Sequence, residues 1–213
     1  MINFRKNISN AIGWSTKRKI VVIESDDWGS IRMQSLGSLN RLEAAGLDLQ
    51  TIDAERYNRN DSLESSEDLE FLFETLSAIT DYKNQHPIFT ALCVVANPDF
   101  DRIRSNVFRH YFFETVLETF KKQARCERSF YLWEEGARNK LFFPQMHGRE
   151  HLNVKGWMHA LNIGDKHTLL AFDEGVWGFV PHHDLVSETD FQAAFLLSDP
   201  KDLDFQKKVD RKS

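Results

Sequence analysis

The chain has 213 residues, 41% of them apolar and 28% charged, with 27 basic against 32 acidic side chains and a formal net charge of −5. That length fits one sizeable core, and the acidic balance supplies no positive field to hold a phosphate backbone, so nucleic acid is not an expected partner. Cys93 and Cys126 are the only cysteines, which excludes a disulfide framework and a four-cysteine zinc site.

The opening MINFRKNISNAIGWSTKRK is basic and lacks the apolar stretch of a secretory signal. No run approaches the roughly 18 apolar residues of a membrane span. A soluble, cytoplasmic protein is the expectation. Lys19 to Ser25, KIVVIES, reads as a strand buried on both faces, ending in the turn-like SDDWGS. Ser38 then caps a short helix through Leu39, Leu42 and Ala45 that Gly46 stops. From Asp48 to Ser65 the pattern is polar and extended.

Ser65 and Ser66 with Glu67 and Asp68 open an amphipathic helix whose apolar positions are Leu69, Leu72, Phe73, Leu76 and Ile79. Ile88 to Val95, IFTALCVV, is a second buried strand, which Asn97-Pro98 breaks. Helices are expected over Glu114 to Lys122 and Tyr131 to Arg138, and a third strand at Leu141 to Phe143. Asn153 caps a helix through Trp157 and Leu161 that ends at Gly164. Another runs from Lys166 to Glu174, stopped by Gly175. Val176 to Val180, VWGFV, is a candidate fourth strand, and Ser198 with Pro200 starts a last helix toward Ser213. Strands alternating with helices point to an α/β sheet or barrel with parallel strands.

In such folds active groups collect at the carboxyl ends of the strands, where this chain has SDDWGS after the first and PQMHGREHLN after the third. An adjacent acid pair alone is uninformative in an acid-rich chain. Two histidines four apart among only 8 are a modest signal. Together they place a carboxylate and two imidazoles where they can converge on one divalent ion, leaving coordination positions for water and substrate. A second carboxylate that does not bind the metal can take a proton from that water. The same donor set suits non-haem iron.

Asp26-Asp27 after a strand, followed by His147-x-x-x-His151, resembles the polysaccharide deacetylase family, carbohydrate esterase family 4. The wider phrasing VVIESDDWGS, TALCVVANPDF and FPQMHGREHLN is similar to a bacterial branch of polysaccharide-deacetylase-like proteins. The resemblance implies a distorted (β/α) barrel of the glycoside hydrolase/deacetylase type, and metal-dependent removal of acetyl groups from N- or O-acetylated sugars. It makes Asp26 the general base and Asp27, His147 and His151 the ligands of a divalent metal, commonly zinc. Carbohydrate is the implied partner, and Trp28 is a candidate for stacking on a sugar ring.

The resemblance covers the first two motifs. Trp28 stands where the family has Gly, with Gly29 following, and Gly148 replaces the family's Ser/Thr. The long stretch between Asp27 and His147 implies an insertion within 48–138 of a single domain spanning 1–213. Residues 152–213 match none of the family's later motifs: no Arg to orient the base, and no Leu-x-His to supply the acid, since His182 and His183 stand in VPHHD. The barrel is therefore expected to be incomplete at its C-terminus, and the general acid is unknown. A non-catalytic deacetylase-like domain that binds glycan or a partner is the second reading. A third takes His147-x-x-Glu150-His151 as an inverted zinc-peptidase motif, which requires those five residues on a helix.

Overall fold

The computed structural model describes residues 15–47, 49, 57–179, 191–194, 200 and 202–210. In chain order these form β1 (Ile23–Trp28), α1 (Leu36–Ala44), α2 (Ser66–Ser77), β2 (Phe89–Val94), β3 (Ala96–Pro98), α3 (Phe100–Ser105), β4 (Phe113–Thr115), α4 (Val116–Lys122), α5 (Ser129–Arg138), β5 (Phe142–Gly148), α6 (Val154–Asn162), α7 (Lys166–Asp173) and α8 (Asp202–Asp210). β1, β2 and β5 make a three-stranded parallel sheet with β2 in the middle. β3 and β4 add a short antiparallel ribbon just past the end of β2, with Pro98 at the tip of its strand, where no ladder donor is needed. The α/β class with parallel strands is therefore present. Among the described residues the sheet is open rather than closed into a barrel.

Local chemistry fixes most helix starts. The Ser65 hydroxyl accepts from the Asp68 amide while the Asp68 carboxylate takes the Ser65 N–H, a reciprocal cap that starts α2 as the sequence predicts. Thr115 and Glu118 repeat the arrangement at α4, and Asn153 and Asp165 cap α6 and α7 through their side-chain oxygens. At α1 the cap is Ser35, three residues before the expected Ser38, which lies buried inside the helix.

Two apolar clusters hold these elements. The first covers one face of the sheet: Ala91, Cys93 and Phe142 meet Leu69 of α2, Phe120 of α4 and Leu132 and Trp133 of α5. The second gathers Met33, Leu39 and Leu42, Trp157 and Leu161 of α6, Phe172 of α7, and Trp177. Trp157 and Trp177 are completely enclosed, and truncating a side chain of that size costs about 3–5 kcal/mol.

Several expectations are corrected. The first strand begins four residues later than KIVVIES suggests, and Ile23 to Asp26 are exposed rather than buried on both faces, because the helices cover the neighbouring strand and leave this edge open. The third strand extends to Gly148 and so carries His147 itself. Asn97-Pro98 does not end the sheet region but forms β3, and α3, with Asp99 as its cap, was not foreseen. Val176, Trp177 and Phe179 are buried as a non-strand segment of the second cluster. Val180, and residues 195–199, where the last helix was expected to start, lie outside the described residues, as does much of the extended segment from Asp48. No helix among the described residues is long and apolar enough to cross a membrane.

Candidate metal centre

Both outer strands carry one residue more than β2 can oppose. Ser25 pairs with Ala91 and Trp28 with Cys93, so Asp26 and Asp27 face a single position on β2. Cys93 pairs with Met146 and Val94 with Gly148, so His147 is the extra residue of β5. Bulges of this kind bend a strand and re-aim a side chain, and they gather at the ends of strands beside sites. Asp27 adopts φ 63°, a left-handed conformation that Asp tolerates better than most residues. Gly29 follows at φ 81°, and a Cβ there would lie 2.8 Å from Val116 Cγ2 and 3.0 Å from the Val94 carbonyl, so only glycine fits.

The re-aimed side chains meet. Asp27 Oδ1 is 3.5 Å from His147 Nε2 and 3.7 Å from His151 Nε2, and the two imidazoles lie 5.7 Å apart at 25° to each other. One ligand atom from each of the three falls within 4.8 Å of the others. Ligands held at about 2.0–2.2 Å around a tetrahedral ion stand about 3.3–3.6 Å from one another, so the Asp27 to His distances are close to coordination spacing. Asp27 Oδ1 and His151 Nδ1 are buried and have no hydrogen-bond partner. Leaving such groups unpaired costs roughly 1–3 kcal/mol each, and a cation between Asp27 and the imidazoles removes the penalty on the carboxylate. The residues therefore fit a divalent metal, without selecting zinc over other ions that imidazole and carboxylate suit.

Asp26 is exposed beside Asp27. Trp28, considered for a sugar ring, packs edge-on against Phe89 and Phe142 at 5.3 and 5.2 Å, as part of the first apolar cluster. The helix that a peptidase motif needs is not formed: His147 and Gly148 are the last residues of β5, and residues 149–152 are irregular. Glu150, the base of that reading, is instead buried in a two-pronged ion pair with Arg149, whose guanidinium lies over the Phe113 ring at 4.7 Å and the Tyr111 ring at 5.3 Å. Burial and the Glu150 carboxylate push the Tyr111 phenol well above its usual range. The Arg149 carbonyl accepts from the Val95 and Ala96 amides, which ties the histidine loop to the end of β2. His182 and His183 lie outside the described residues.

Three supporting groups escaped the sequence reading. Asn97, almost fully buried, accepts from the Ile31 amide at 3.1 Å and donates to the Gly29 carbonyl at 2.8 Å and to Thr119 Oγ1 at 3.2 Å, fastening the turn after Asp27. Arg32 is buried with one prong on Asp27 Oδ2 and the other on Asp61 Oδ2. Glu64 accepts from the Gly29 amide at 3.3 Å, and its other oxygen is buried without a partner. Burial pushes its carboxyl up to about 7, and the same burial with the nearby Glu64 charge raises the Cys93 thiol to about 12. The signal for Asn97 was a polar residue at the carboxyl end of a buried strand. For Arg32 and Glu64 the sequence offers none.

No family model, no curated protein and no solved structure matches the chain.

Proposed function

We propose that the chain is a metal-dependent hydrolase that removes acetyl groups from N- or O-acetylated sugars of an oligo- or polysaccharide. The observation that carries this reading is the convergence of Asp27, His147 and His151 from the ends of two parallel strands, with a carboxylate oxygen left unpaired between the imidazoles. A divalent ion, zinc in the first instance, supplies there the Lewis acidity that polarises an acetyl carbonyl and acidifies water. Asp27, His147 and His151 hold it, and Asp26, the exposed neighbouring carboxylate, takes the proton from the attacking water. In this reading the three-stranded sheet is a sector of the distorted (β/α) barrel of deacetylases.

Metal analysis of the purified chain, with acetate release from N-acetylated oligosaccharides, tests the proposal. Wild type should bind one equivalent of metal, and His147→Ala with His151→Ala should bind none. Asp26→Asn should keep the metal and lose acetate release. Unchanged metal content in the double histidine variant refutes the site. Metal binding without acetate release refutes the hydrolase and leaves a glycan-binding domain in its place.

A further inference from the structure

We propose that Arg32 is the positioning residue of this centre: by engaging Oδ2 of Asp27 it reserves Oδ1 as a single ligand oxygen, with Asp61 holding the guanidinium in place. The inference rests on the metal reading of Asp27, His147 and His151. A free carboxylate offers two equivalent oxygens and can bind an ion through one or both. Here the two are differentiated. Oδ2 accepts from Arg32 Nη2, while Oδ1 has no partner and faces both imidazoles.

The guanidinium is itself fixed from several sides. Nη1 donates to Asp61 Oδ2, the group lies 4.9 Å from the centre of the Tyr57 ring, and a Cβ at Gly178 would come within 2.9 Å of the Arg32 Cβ. Trp177 donates its indole N–H to the Ile31 carbonyl at 2.9 Å, anchoring the backbone that carries Arg32. The planar fork can therefore bridge two carboxylates at a set angle, which the point charge of a lysine cannot. Charge agrees with this: the Asp27 and Asp61 carboxylates with the one Arg32 guanidinium leave a net negative charge beside the two imidazoles, a setting that favours a cation. Residues that orient a metal ligand typically alter affinity 10–100-fold when replaced.

The test uses the full chain loaded with Co²⁺ and read by its visible absorption and by competition with a chelator, with folding checked by circular dichroism. Arg32→Lys keeps the charge and loses the fork. It should weaken Co²⁺ binding about tenfold or more and change the shape of the ligand-field bands as Asp27 turns. Asp61→Asn, which loosens the guanidinium but leaves its fork on Asp27, should weaken Co²⁺ binding and alter the bands in the same direction as Arg32→Lys and by less. Affinity and spectrum both unchanged in folded Arg32→Lys overturn the inference alone, whereas wild type that binds no Co²⁺ overturns the metal reading and the inference with it. Should Arg32→Lys not fold, X-ray absorption of the Zn²⁺-loaded wild type decides: a metal-to-carbon distance of one-oxygen carboxylate binding is expected, and a chelating carboxylate refutes the role given to Arg32.

Discussion

The two ends of the parallel sheet reverse the usual placement of residues. At the amino end of β1, Ile20, Val21, Val22 and Ile23 are exposed, Val21 by 85%, and Phe143 near the start of β5 is half exposed. At the carboxyl ends, Arg32, Asn97, Arg149 and Glu150 are buried. Apolar residues in water cost little individually, since folded surfaces are largely apolar anyway, whereas buried charges require partners fixed in place. The polar end is thus where the fold invests its hydrogen bonds and ion pairs, and where it holds three candidate ligands to a common point. Polar bracing holds the carboxyl ends of the sheet as much as apolar packing does.

The largest effect is expected where a buried charge at the polar end loses its partner. Arg149→Ala takes the counter-charge from the buried Glu150 carboxylate and should cost about 3–5 kcal/mol in urea unfolding; a loss within that of an ordinary surface change would mean the pair is not braced as described.

Next comes the pH dependence of Glu64. Its carboxyl stands near 7 in the fold against 4.5 ordinarily, so the folded chain keeps a proton that the unfolded chain gives up. The stability this contributes is fully present below pH 4.5 and is lost as pH rises through about 7, by up to about 3 kcal/mol. Glu64→Gln, which mimics the protonated form, should flatten that fall between pH 5 and 8; an unaltered profile assigns it to other groups.

Asn97→Ala removes three hydrogen bonds from the turn beside the ligand and should cost about 2 kcal/mol, together with a measurable weakening of Co²⁺ binding. Stability lost with metal affinity intact would separate the brace from the site. At the opposite end, Val21→Lys should change stability by less than about 0.5 kcal/mol, and a larger loss would show that the exposed edge is packed after all.

The sequence was most legible where a short stretch sets its own structure. The Ser65 and Asp68 cap, the Asn153 cap and the apolar period of α2 are local, and each element formed where expected. Strand β2 was legible because its apolar run is covered. The run before β1 looked identical in kind, yet composition says nothing about what will cover it, and it is exposed. At the site, residue type and strand-end position singled out the Asp26-Asp27 pair with His147 and His151, and the choice of Asp27 as the carboxylate that meets the imidazoles came from the family resemblance. The bulges that aim them could not be read, because a bulge exists only relative to a partner strand. Arg32, Asn97 and Glu64 escaped for a related reason: apart from the contact of Arg32 with Asp27, each acts through residues 22 to 68 positions distant along the chain.

The added residue in β1 and the added residue in β5 also carry a consequence for descent. Removing one residue at either bulge lets the strand pair with β2 without interruption, since Trp28 already stands opposite Cys93 and Gly148 opposite Val94. Loss of a single codon would thus leave a strand that still pairs with β2, while at β5 it removes His147 itself and at β1 it removes one of the two adjacent carboxylates together with the bulge that aims Asp27. The candidate ligand set is therefore separated from an unliganded version of the same sheet by one residue in either of two places.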